Sequence, residues 1–201
     1  MPALYLIRHG HTEYSDLGAI AGSSDVALSQ AGRDAVTVAA GSLDIDSITT
    51  FHASTLTRAI DTASLLGGDT IVEDARLVEL DFGDWEGKTW QQVHDDDPDH
   101  LSEWSENWVE RAPPGGETFQ ALANRADDWL QDIKALPDDH RLVVAAHGGT
   151  IRALLCLALE LPLSCAMRFS ADYAHVTLLS LSRGGSGCDF LNASGFRHGS
   201  A

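Results

Sequence analysis

Short apolar runs alternate with amphipathic segments along this chain, and three of the runs stop abruptly at polar, reactive residues. Leu4 to Ile7 ends in Arg8-His9-Gly10, with His11-Thr12 just beyond. Ser47 to His52, rich in β-branched residues, ends in Ala53-Ser54 with Arg58 one turn on, and Leu142 to Ala146 ends in His147-Gly148-Gly149. Runs this short and apolar read as buried strands. Thr70 to Val72 reads as a further short strand, and His175 to Leu181 as a final central or edge strand. Helical spacing fills the intervals. Ser29 is the expected N-cap of a helix over Gln30 to Ala40. Leu56, Ala59, Ile60, Ala63 and Leu66 share a face of a second, with Ser54 as its expected N-cap and Gly67-Gly68 as its stop. Phe119, Leu122, Ala126, Trp129, Ile133 and Leu136 line a long amphipathic helix after Glu117-Thr118, and Ile151 to Leu159 forms another.

Such alternation predicts an α/β three-layer sandwich: a mainly parallel central sheet with helices on both faces. In these sheets the functional crevice lies at the carboxyl ends of the strands. The expected crevice therefore gathers two imidazoles, two guanidiniums and the amino ends of two helices.

The chain has 201 residues, 44% of them hydrophobic, which suits one domain over 1–201. Residues 81–116, rich in tryptophan and acid, read as an insertion of loops and short helices over the site. No run reaches the ~18–20 apolar residues of a membrane span, and no signal peptide is visible, so the expected location is cytoplasmic. The net charge of −17 argues against nucleic acid or an anionic membrane surface as the main partner. Three cysteines without a CxxC pair argue against a disulfide framework. "HDDDPDH" at 94–100 reads as a solvated acidic loop; without HExxH or paired-cysteine spacing, no metal or other cofactor is expected.

With only eleven arginines and two lysines, arginines beside histidines are informative. Guanidinium forks and helix N-termini suit a tetrahedral oxyanion, so a phosphoryl group is the expected occupant. A neutral imidazole is a competent nucleophile toward phosphorus, and neighbouring guanidiniums would keep it neutral. Arg152, inside the last helix, is expected to form a structural ion pair. Trp104 and Trp108, four apart, are expected to share a helix face over the pocket.

"LIRHGHT" resembles the Arg-His-Gly-x-Thr signature of the histidine phosphatase superfamily, also called phosphoglycerate mutase-like. "ASTLTRAIDTA" (53–63), "LVELDFGDWEG" (77–87), "VVAAHGGTIRALL" (143–155) and "GSSDVALSQAGRDAV" (22–36) are similar to further segments of that family, in family order. The resemblance implies that His9 accepts the phosphoryl group and that Arg8, Arg58 and His147 bind its oxygens. It implies that Glu79 protonates the leaving alcohol and then helps activate water. Thr12, Ser15, Ser23 and the Gly148 amide are further substrate-binding candidates. Ser15 stands where many members carry asparagine, and His11 occupies a variable position that could line the entrance. The short interval between "FGDWEG" and "PPGGETF" resembles alpha-ribazole and broad-specificity phosphatases more than mutases. The implied activity is metal-independent phosphomonoester hydrolysis by a monomer or homodimer. A mutase, a non-catalytic phospho-ligand binder and a metal-dependent phosphoesterase stay open as alternatives.

Overall fold

The computed structural model describes residues 2–41, 47–48, 50–181 and 185–194. Its described strands are β1 (Ala3–Arg8), β2 (Thr50–Ala53), β3 (Ile71–Glu73), β4 (Arg141–Ala146), β5 (Val176–Ser180) and β6 (Gly187–Ala193). They form one sheet in the order β3-β2-β4-β1-β5-β6. The β1/β4, β2/β4 and β2/β3 pairings are parallel, as the strand–helix alternation demands, while β5 runs antiparallel to β1 and β6 antiparallel to β5. The α-helices are α1 (Glu13–Asp16), α2 (Gln30–Ala40), α3 (Thr57–Leu65), α4 (Trp90–Asp96), α5 (Pro98–Glu106), α6 (Phe119–Lys134) and α7 (Gly148–Ala158).

Alternation along the two central strands builds the three layers. Leu4 and Leu6 of β1, with Leu142 and Val144 of β4, pack on Trp129, Leu130 and Ile133 of α6 and on Ile151, Leu154 and Leu155 of α7. Tyr5, Ile7, Val143 and Ala145 face the other way, onto Val36 and Ala39 of α2 and Ala59 and Ala63 of α3. Leu4, Leu6 and Ile7 are fully buried, and each such side chain contributes ~1.5–3 kcal/mol.

Several expectations shift. The strand expected from Ser47 crosses residue 49, outside the described residues, and β2 itself runs Thr50–Ala53. β5 is neither last nor at the edge, because β6 pairs outside it. β6 carries glycine, aspartate and a bulged register with Asn192 at φ 53, so it lacks the β-branched alternation that marks a strand. Ser54 does not cap α3: that helix starts at Thr57, with Leu56 at the cap position and no side-chain cap bond. α7 opens at Gly148, three residues before the expected start. Ser29 caps α2 as expected, accepting from Gly32 N at 3.2 Å.

In the 81–116 stretch a turn of 3-10 helix (Gly83–Trp85) leads into α4 and α5, separated by Asp97 alone. The acids of "HDDDPDH" are used locally: Asp97 accepts from Trp85 Nε1 at 3.3 Å and pairs with His100 at 2.6 Å, and Asp96 pairs with Lys88 at 3.0 Å. Among the described residues no group of three or more His, Cys, Asp or Glu is placed to hold a metal ion. No described helix is long and apolar enough to cross a membrane.

Candidate active site

Strand register brings the reactive residues together. Arg8 lies opposite Ala146 and Ala53 opposite Ala145, so β1, β2 and β4 end at nearly one level. His9, Ser54 and His147 follow directly, and the His9 and His147 rings lie 5.1 Å apart between centroids. Both imidazoles are buried.

Hydrogen bonding fixes the tautomer of each ring. His9 Nδ1 lies 2.7 Å from the Gly10 carbonyl, which can only accept, so the proton sits on Nδ1 and Nε2 keeps its lone pair. Arg58 Nε donates to that Nε2 at 3.2 Å and to His147 Nδ1 at 3.2 Å. The His147 proton is thereby placed on Nε2, facing Ser54 Oγ at 2.6 Å. Burial first, then the Arg58 and Arg8 charges, hold His9 well below the ordinary histidine range. Burial and Arg58, followed by His9, do the same to His147.

A pH consequence follows. The unfolded chain takes up protons on these two histidines as pH falls below about 6.5, whereas the folded protein keeps them neutral. Their depressed values therefore remove stability on acidification from 6.5 toward the folded pKa, at up to ~1.4 kcal/mol per pH unit and histidine. Urea denaturation at pH 7.5, 6.5 and 5.5 should show stability falling across the last interval. Equal stability at 6.5 and 5.5 would mean the rings titrate normally.

Arg58 is fully buried, and backbone carbonyls aim it. Its Nη1 donates to Ser24 O and its Nη2 to Gly22 O, each at 2.6 Å. That loop is gripped by Glu86, whose carboxylate accepts from the Ser23 and Ser24 amides at 2.7 Å each, from both hydroxyls, and from Phe82 N at 3.2 Å. Arg8 lies over the Tyr173 ring, with Cζ 3.5 Å from the centroid, and donates from Nη1 to Ala171 O at 2.7 Å.

Glu79 is set by the start of α7. Its Oε2 accepts from Gly149 N at 2.9 Å and its Oε1 from Leu80 N at 2.9 Å. A Cβ at 149 would lie 2.4 Å from Glu79 Oε1, so glycine there leaves the carboxyl in place and any side chain would displace it. Both carboxyl oxygens are thus held by backbone amides, which sets the direction in which the group faces the cavity.

These groups floor a cavity of about 350 Å³. Of the candidate residues, Arg8, His9, Ser15, Arg58, Glu79 and Gly148 line it, whereas Thr12, Ser23 and His147 do not. Thr12 is buried and caps α1, accepting from Ser15 N at 3.1 Å. Ser23 is occupied by Glu86, and His147 sits behind Arg58. The opposite wall is aromatic: Phe82, Trp90, Trp104, Trp108 and Phe119. Trp104 and Trp108 both reach the cavity, but not from one helix face, because α5 ends at Glu106. Trp104 stacks on Trp90 at 5.6 Å, and Trp108 meets Phe119 edge-on at 4.9 Å.

Three contributors were missed in the sequence: Ser54, Glu86 and Tyr173. Ser54 sat at a plausible cap position and Glu86 within a recognised segment, so each had a signal that was assigned otherwise or not at all. Tyr173 lies in a turn without periodicity. Ser54→Ala should leave the buried His147 Nε2–H without an acceptor, costing about 1–3 kcal/mol in urea denaturation. A loss under ~0.5 kcal/mol would show that the ring repairs the contact elsewhere.

The arrangement offers a neutral imidazole lone pair beside the guanidiniums of Arg8 and Arg58 and a carboxyl at a helix start. That set can receive a tetrahedral anion and attack its central atom. The family model for the histidine phosphatase superfamily (branch 1) matches residues 4–194. A glucosyl-3-phosphoglycerate phosphatase of Mycobacterium tuberculosis is 35% identical over 174 residues, 80% of this chain and 77% of that protein. Phosphoserine phosphatase 1 of Hydrogenobacter thermophilus is 27% identical over 185 residues, 90% of this chain and 87% of its own. The crystal structure of the alpha-ribazole phosphatase from Shigella flexneri superposes with a TM-score of 0.90 over 98% of this chain and all of that one, at 24% identity, a likeness of fold.

Proposed function

The chain belongs to the histidine phosphatase superfamily, and on that premise we propose that it hydrolyses phosphomonoesters of small metabolites through a phosphohistidine on His9. One observation carries this reading. The His9 Nε2 lone pair and His147 Nδ1 meet at a single donor, Arg58 Nε, 3.2 Å from each, in the floor of the cavity.

In the first step His9 Nε2 forms a bond to phosphorus while the bond to the ester oxygen breaks. The alkoxide takes its proton from Glu79, which faces the same cavity. The imidazole becomes a phosphorylated ring whose Nδ1–H stays bonded to Gly10 O, so charge building on the ring meets a fixed acceptor. Arg8 and Arg58 stabilise the equatorial oxygens, joined by the Gly148 amide and Ser15. His147 supports them from behind. Ser54 suits this role because a hydroxyl can accept from Nε2–H or donate to a bare Nε2, letting Nδ1 carry the proton when an oxygen arrives. In the second step Glu79 takes a proton from water, which attacks phosphorus and releases His9 and inorganic phosphate.

The guanidiniums supply the positive charge the transition state needs, and the reaction as written requires no divalent ion. The substrate read from the sequence is alpha-ribazole phosphatase-like, while the curated relatives are named for phosphoserine and glucosyl-3-phosphoglycerate. A panel of alpha-ribazole 5′-phosphate, O-phosphoserine, 3-phosphoglycerate and p-nitrophenyl phosphate, assayed for phosphate release with chelator present, tests the reading. Release from at least one ester is expected. Transfer between phosphoglycerates without release would instead favour a mutase.

A further inference from the structure

The chain carries thirty acidic residues against thirteen basic ones, so an arginine without a carboxylate partner is conspicuous. Arg33, Arg76, Arg111 and Arg125 each form an ion pair. Arg152 forms none among the described residues, against the structural ion pair expected from its place in α7. It lines the cavity instead. Its Nε donates to Phe169 O at 2.9 Å, which fixes the plane of the guanidinium while leaving both Nη groups uncommitted among the described residues. The Nη1 end lies against Gly148: a Cβ there would sit 3.0 Å from Arg152 Nη1 and 3.5 Å from Arg8 Nε. Two guanidiniums thus flank one glycine on the cavity floor. Burial and the Arg8 charge weaken the hold of Arg152 on its proton, while Glu79 and Asp172 attract the charge without pairing with it. A half-buried, uncompensated cation costs free energy that an incoming anion would recover.

Charge matching indicates which anion. A phosphate monoester brings two negative charges, and Arg8 and Arg58 already meet them. Arg152 is a third cation lining the same cavity, in excess of what those two charges require. Resting on the phosphatase reading above, we propose that Arg152 binds a carboxylate on the alcohol half of the substrate, so that preferred substrates are phosphate monoesters of small hydroxy acids. The two uncommitted Nη groups present the planar, bidentate edge that a carboxylate fits. Because the guanidinium abuts Gly148 and Arg8, the carboxylate lies only a few bonds from the ester oxygen. The aromatic wall takes whatever the hydroxy acid carries beyond that point.

The test compares two esters that differ chiefly in the carboxylate: 3-phosphoglycerate and glycerol 3-phosphate. Calorimetric titration of the His9→Ala protein gives dissociation constants without turnover. The ratio of the two constants is the readout, and taking it within one preparation cancels any unfolded fraction. 3-Phosphoglycerate should bind about 10–100-fold tighter, the usual worth of a charge-assisted bidentate bond. Adding Arg152→Gln should bring the ratio to within about threefold of one. Should that protein not fold, Arg152→Lys decides by the same ratio: lysine keeps the charge but loses the fork, and the ratio should fall at least about threefold. Equal affinities in the His9→Ala protein would overturn the proposal, as would a preference that survives loss of the arginine. A uniform loss on both esters would overturn it too, since Arg152 would then serve the phosphoryl group. Absence of phosphate release by the wild-type protein would count against hydrolysis alone, leaving the binding ratio to decide the carboxylate site.

Discussion

His9→Ala is expected to abolish the phosphoenzyme and to lower kcat by about 10⁴–10⁶-fold, the scale seen when a covalent nucleophile is removed. No neighbour can substitute. His147, the other imidazole on the floor, turns Nε2 to Ser54 and has Nδ1 engaged by Arg58. Both rings accept from Arg58 Nε, but His147 is fully buried and, unlike His9, does not line the cavity, so a bound ester does not meet it. The measurement is a brief reaction of each protein with labelled ester, followed by acid and alkaline challenge and peptide mapping. In the wild-type protein the label should sit on the His9 peptide, lost in acid and retained in alkali, as a phosphoramidate requires. A label on the His147 peptide would reverse the two roles. An acid-stable label would move the covalent step to a hydroxyl, and Ser15, which lines the cavity, would be the first to examine.

How much of this was legible beforehand depends on whether a residue acts through its own position or through a partner distant in sequence. The central strands β1 and β4 were readable because buried parallel strands are continuous apolar runs, and their ends were readable because Arg8-His9 and His147 interrupt those runs. β6 was not, since an outer strand paired on one side tolerates glycine, aspartate and a bulge. Arg58 could be placed one turn after a strand, yet nothing local showed that the carbonyls of Gly22 and Ser24 hold its fork, or that Glu86 holds those carbonyls. Ser54 illustrates the same limit. Its position satisfied the sequence rule for an N-cap, but the hydroxyl is committed to an imidazole 93 residues away. For Arg152, helical spacing favoured a structural ion pair, whereas the start of α7 at Gly148 puts it one turn from the cavity floor. Local rules cannot decide between partners that only tertiary structure supplies.

Glu79→Gln separates proton donation from positioning. The glutamine is nearly isosteric, and its amide oxygen can keep the bond from Gly149 N, while the bond from Leu80 N is given up because an NH₂ group cannot accept it. What it cannot do is give up or take a proton. If the carboxyl donates to the departing oxygen, the cost depends on how much the leaving group needs that proton. A sugar or glycerate alkoxide is a poor leaving group, and kcat on such esters should fall by roughly 10²–10⁴-fold, the range of general acid catalysis. p-Nitrophenolate departs unaided, so phosphorylation of His9 by p-nitrophenyl phosphate should slow far less. Because the same residue is assigned the proton from water in the second step, the variant should then stall as phosphoenzyme. Rapid-quench measurements should show a burst of p-nitrophenol followed by a slow steady rate. Addition of a small amine or alcohol nucleophile, which needs less help than water, should shorten the stall. Equal loss on alkyl and aryl esters, with no burst, would mean that Glu79 acts by aligning the ester against Arg8 and the Gly148 amide. The proton would then have to come from another group facing the cavity, and among its titratable side chains Tyr173, already stacked under Arg8, is the one to test next.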